Sequence, residues 1–137
     1  MPLLANSTDG ALSRKRLEAF VARSEGATVV AASDAATVQT AANLAANQVT
    51  VYTMTPTANR TLTTPTGAEL GAALTDEAVG TSFEIVVVNA APSTYTITLT
   101  AGASGVTIVG SAVVAAASSA SFLAVFTAAN TVSIYRK

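Results

Sequence analysis

From Ile85 to Tyr135 the chain runs for 51 residues without a single Asp, Glu, Lys or Arg, and is built instead from Val, Ile, Thr, Ser, Ala and Gly. Charge is what normally keeps an independent monomer apart from its neighbours, so a run of this length is not an ordinary solvated surface. Its β-branched residues favour strands. Charged residues make up 11% of the whole chain against about 25% in a typical globular protein. Much of the exterior is therefore expected to be covered by other molecules, as in an assembly.

A membrane span is the simplest competing explanation, because Gly105 to Phe126 is long enough to cross a bilayer, which takes about 20 residues. Thr107, Ser111, Ser118, Ser119 and Ser121 interrupt that run, and Gly105 and Gly110 punctuate it as turns. No membrane association is expected. Met1 to Gly10 has neither the basic start nor the apolar core of a secretory leader, so the expected compartment is the cytoplasm of the producing cell.

The residues that are missing exclude much chemistry. With no Cys and no His, disulfides, zinc sites, Ser-His-Asp triads and Cys-His dyads are all out of reach. Neither GxxxxGK[ST] nor GxGxxG occurs, and Ala101 to Gly105 lies between two strand-like runs, where a hairpin loop is expected. A net charge of −1 gives no broad attraction to nucleic acid. Carboxylate-only chemistry of the glycosidase kind has Glu69, Asp76, Glu77 and Glu84 as candidates, with Asp76-Glu77 reading as a polar turn before a strand. The chain is expected to be no enzyme and to need no cofactor or metal.

At 137 residues the sequence suits one domain preceded by an arm. Residues 1–25 hold Asp9, Arg14, Lys15, Arg16, Glu18, Arg23 and Glu25, nearly half of all the charges. Leu12, Leu17, Phe20 and Val21 recur at roughly helical spacing after Asp9-Gly10, which predicts a short amphipathic helix over Ala11 to Ala22. An isolated helix of that length is marginal and must dock to be ordered. Arg14, Lys15 and Arg16 form the one basic cluster, open to two readings. It is either a solvated face balanced by Glu18 and Glu25, or an anchor to an acidic partner surface with Leu3, Leu4, Leu17 and Phe20 as apolar contacts.

Residues 26–137 read as β. Strands are expected at Thr28 to Ala32, Gln48 to Thr55, Arg60 to Thr64, Thr81 to Asn89, Thr94 to Ala101, Gly105 to Val109, Ser111 to Ala115, Ser121 to Thr127 and Thr131 to Tyr135. Within them Phe83, Ile85 and Val87 share a face, as do Tyr95, Ile97 and Leu99, and Phe122, Ala124 and Phe126. Thr66 with Glu69 three residues on predicts a capping-box helix carrying Leu70 and Leu74. Ala41 to Ala46, with little to pack, reads as a loop or brief turn. Short strands at this spacing predict a mainly β protein, a two-sheet antiparallel β-sandwich of the jelly-roll kind with a short N-terminal helical arm. Uncharged strands invite edge pairing, so the sheet edges and one face are expected to meet other subunits, which again favours an assembled state.

The segments Gly80 to Asn89, Tyr95 to Gly102, Gly105 to Gly110 and Ser121 to Phe126 resemble a β-sandwich module of virion structural proteins, notably those of tailed bacteriophages. With its compact length the chain looks like a capsid decoration or cement protein, over roughly residues 61 to 135. That resemblance implies a jelly-roll protein that binds the outside of the capsid, bridges neighbouring major capsid proteins and self-associates as a homotrimer or homodimer. It implies no catalysis. Its place would be the virion's outer surface, after synthesis in the host cytoplasm. The alternative is a receptor- or glycan-binding β-sandwich domain of a tail fibre or spike.

Overall fold

The computed structural model describes residues 25–74 and 78–137. In chain order the elements are β1 (Ala27–Ala31), β2 (Thr37–Val38), α1 (Ala41–Ala46), β3 (Val49–Met54), β4 (Arg60–Thr63), α2 (Gly67–Ala73), β5 (Ser82–Asn89), β6 (Ile97–Thr100), β7 (Val106–Val109), β8 (Val113–Val114), β9 (Ser118–Ala128) and β10 (Thr131–Arg136). They form a six-stranded sheet in the order β1-β3-β5-β9-β10-β7 and a four-stranded sheet in the order β2-β4-β6-β8. The molecule is thus mainly β and two-sheeted.

The strand pairing departs from the antiparallel jelly roll that the spacing suggests. Successive strands from β1 to β9 alternate between the two sheets, and α1 and α2 carry the chain back from the smaller sheet to the larger. Each return lays the new strand beside its predecessor in the same direction, which is the geometry that a helical crossover permits and a tight hairpin does not. β1-β3, β3-β5, β2-β4, β4-β6 and β7-β10 are accordingly parallel. Only β5-β9, β9-β10 and β6-β8 are antiparallel.

Both sheets empty one face into a single core. Phe83, Ile85 and Val87 of β5, Phe122, Ala124 and Phe126 of β9 and Val132 and Ile134 of β10 meet Leu62, Ile97, Leu99 and Val114 of the smaller sheet. The alternation expected along β5 and β9 is the alternation observed, and β3 alternates in the same way. Leu44, Leu70 and Leu74 close the core from the helices. α2 starts as its capping box predicts, with the Thr66 Oγ1 accepting from the Glu69 N–H and Glu69 reaching back to the Thr66 N–H.

Four expectations are corrected. Ala41–Ala46 is a helix, because the Thr40 side chain caps it by accepting from the Asn43 N–H and Leu44, with Ala41 and Ala45 beside it, seats it in the core. Ala101 to Gly105 joins β6 of one sheet to β7 of the other, so it is no hairpin loop. The strand expected from Thr94 begins only at Ile97, since Thr94 takes a φ of 74°, outside the strand region. That expected at Ser111 to Ala115 shrinks to Val113–Val114. Gln39 is an unpaid cost: it is buried, and neither amide atom has a hydrogen-bond partner.

Candidate interaction surface

The outward face of the larger sheet follows from the strand register. Opposite the core-facing residues, Val29, Val51 and Val86 lie in one row with Ser121; Ala27, Val49, Glu84, Leu123, Tyr135 and Val109 lie in the next. Rows on either side add Thr53, Val88 and Ser119, and Ser82, Val125, Ser133 and Thr107. Val29 is 73% exposed, and Val109 and Tyr135 are each more than 40% exposed. None of Val49, Val51, Val86, Val88, Leu123 or Val125 packs against the core. Apolar side chains therefore occupy both faces of β3, β5 and β9.

Charge is absent from this face except for one pair. The Lys137 Nζ lies 3.4 Å from the Glu84 carboxylate, so the pair neutralises itself. The same economy extends through the described part of the domain. Glu69 is spent in the α2 capping box, and the Arg136 guanidinium donates to the carbonyls of Ser111 and Val113 while lying 5.8 Å from the Phe122 ring. Asp34 accepts from the Arg60 Nε at 2.7 Å and from both the N–H and the hydroxyl of Thr57. From residue 26 onward, every charged side chain among the described residues is engaged within the chain.

Asp34 ties the β1-β2 loop to the β3-β4 loop. The Arg60 guanidinium and the Thr57 hydroxyl hold its carboxyl well below the usual carboxylate range. A carboxylate whose folded-state value is depressed adds stability above its unfolded value of about 3.9 and loses it as pH falls further. The melting temperature of the wild type is therefore expected to exceed that of Asp34→Asn from neutral pH down to about 4, with the gap narrowing below that. An unchanging gap down to pH 2 would show that the clasp does not hold in solution.

The opposite outer face, on the smaller sheet, is different in kind. Thr61 and Thr63 of β4 stand in register with Thr98 and Thr100 of β6, and the Thr63 and Thr100 hydroxyls lie 2.7 Å apart. Val38 and Val113 flank this array and are exposed. Hydroxyls here satisfy one another or water, whereas the larger sheet offers methyl groups.

Leu3, Leu4, Arg14, Lys15, Arg16, Leu17 and Phe20, the contact residues expected from sequence, all lie outside the described residues, as does the helix expected at 11–22. Of the carboxylate candidates, Asp76 and Glu77 also lie outside them. Glu69 and Glu84 are on different elements, each with its own structural partner. No group of three His, Cys, Asp or Glu able to hold a metal occurs among the described residues, and no helix there is long and apolar enough to cross a membrane. That one sheet face would meet other subunits was expected from sequence; that the outward face of the larger sheet is the apolar one is what sequence reasoning missed. Its signal was the unbroken Val86-Val87-Val88 run, since a strand that is apolar on both sides is one that is covered on both sides.

Comparison with protein-family models, with curated proteins and with solved structures finds no match.

Proposed function

We propose that this chain is a structural protein of a virus particle, one that binds the outer surface of a tailed-phage capsid and cements neighbouring major capsid proteins. The observation that carries the reading is the internal use of charge: the described body of the domain has no uncommitted ionic group, yet it presents a broad apolar sheet face. A freely diffusing monomer with that surface is prone to adhere. In an assembly the same surface is useful. The two sheets are in this reading the β-sandwich body of the module, and the arm of residues 1–25, with Leu3, Leu4, Arg14, Lys15, Arg16, Leu17 and Phe20, supplies the capsid contact.

Cementing works through multiplicity. A self-associated protein that engages several capsid subunits gains avidity by effective concentration, so each contact can be modest. Binding only the assembled lattice stabilises it by mass action. Particles lacking the protein are expected to lose their genome at a lower temperature than complete ones, and adding the purified protein is expected to restore the difference. Equal heat resistance with and without it would end the cement reading. Sedimentation of the protein with host cells and not with capsids would instead mark it as a receptor- or glycan-binding domain.

A further inference from the structure

We infer that the outward face of the larger sheet is a two-fold interface, occupied by the same face of a second copy of this chain. The inference deepens the self-association in the proposed function and is independent of capsid attachment, which falls to residues 1–25.

Area, charge and shape argue for a copy as the occupant. Five inter-strand steps of about 4.8 Å and three two-residue steps of about 6.7 Å span on the order of 500 Å² between the outermost positions of the grid. Side chains at its rim bring this towards the ~800 Å² per partner of a standard stable interface. The valines, Leu123 and Tyr135 of this face are interleaved with Thr53, Ser82, Ser119, Ser121 and Ser133, the mixed composition of a protein–protein interface. The face holds one acid and one base, Glu84 and Lys137, so it has no net charge with which to repel its own image. A two-fold axis also lets Glu84 of each copy meet Lys137 of the other.

Shape then selects the number of copies. Two sheets stack face to face at about 10 Å with their strands nearly aligned, and a face that pairs with itself is isologous and closes at two. Three copies around an axis would require two different complementary surfaces instead. The inner rows, Val51-Val86-Ser121 and Val49-Glu84-Leu123-Tyr135, form the centre. Each substitution there counts twice, once from each copy.

Sedimentation equilibrium of the full chain, without capsids, tests this. The expected mass is twice 13.6 kDa. Val86→Lys and Ser121→Lys, both on outward positions of the centre, are each expected to weaken the dimer at least 100-fold, because each copy would bury an extra positive charge that Glu84, already paired with Lys137, does not neutralise. Thr98→Lys on the smaller sheet is expected to leave it intact. Circular dichroism establishes that each variant folds, and if Val86→Lys does not, Ser121→Lys decides, since it removes no apolar side chain. A one-chain or three-chain mass for the wild type overturns the inference. So does a dimer insensitive to Ser121→Lys, or one that Thr98→Lys breaks equally well. Capsid attachment measured on the same variants is a separate result: a monomeric variant that still binds heads leaves the cement reading standing.

Discussion

Gly67→Ala is expected to destabilise the fold by about 3 kcal/mol or more, the upper range for forcing an extra methyl into packed structure. A Cβ at this position would lie 1.9 Å from the carbonyl oxygen of Asn130 and 2.8 Å from that of Gly105. Both obstacles are backbone, so no side chain can rotate out of the way. The site is where three segments meet: the start of α2, the connection between β6 and β7, and the β9-β10 turn. The Gly67 N–H donates to the Ser104 carbonyl, the Val132 N–H to the Gly105 carbonyl, and the Gly102 N–H to the Thr64 hydroxyl. Asn130 itself has a φ of 54°, so the turn it occupies has little freedom to retreat.

Urea unfolding measures the effect, and Gly80→Ala provides the comparison. Gly80 has a φ of +94° but open space around a would-be Cβ, so alanine there meets backbone strain of roughly 1–3 kcal/mol and no collision. Gly67→Ala is expected to lower the unfolding midpoint more than Gly80→Ala does. Equal midpoints would mean that the three-segment junction is looser than its geometry. Since a domain of this size is stable by only about 5–15 kcal/mol, the loss is a large fraction of the whole.

The contrast between these glycines shows what a linear reading can reach. Period-two alternation put Phe83 with Ile85, and Phe122 with Phe126, on one face of their strands, and those are the faces that meet the core, because which residues share a face is a local property. The α2 capping box was equally local, written in Thr66 and Glu69. Which strands pair is not local. The coil that sets β1 beside β3 and β3 beside β5 depends on where α1 and α2 return the chain, and α1 was hidden because Leu44 is its one long apolar side chain. One trace of the coil was present: the triplet Thr61-Leu62-Thr63 recurs as Thr98-Leu99-Thr100, and the two lie in parallel register. The Asp34-Arg60 clasp left no such trace, since 26 residues separate its partners.

The second large effect is expected at Asn89, where one amide joins the two sheets. Asn89 is buried at the end of β5, its Nδ2 donates to the carbonyls of Tyr95 and Val114, and its Oδ1 accepts from the Ala91 N–H. Val114 belongs to β8 and Tyr95 precedes β6, so the centre of the larger sheet is held to two strands of the smaller. Asn89→Leu keeps the volume and removes all three bonds. Orphaning the buried Ala91 N–H costs about 1–3 kcal/mol, and losing the two bonds to the Tyr95 and Val114 carbonyls, at about 0.5–1.5 each, brings the expected loss to about 2–6 kcal/mol.

Asn89→Asp separates the donor role from the volume. An ionised carboxylate can still accept from Ala91, but its other oxygen faces two carbonyl oxygens with no proton to offer. The neutral acid can donate to one of them, so the folded state favours protonation and raises the side chain above its unfolded value of about 3.9. Native protein then binds more protons than unfolded protein, and stability falls as pH rises from about 4 through the raised value. Measured by urea unfolding, the deficit of Asn89→Asp against wild type is expected to be smaller at pH 4 than at pH 7. A deficit of the same size at both would show that the two carbonyls do not depend on Asn89 for their hydrogen bonds.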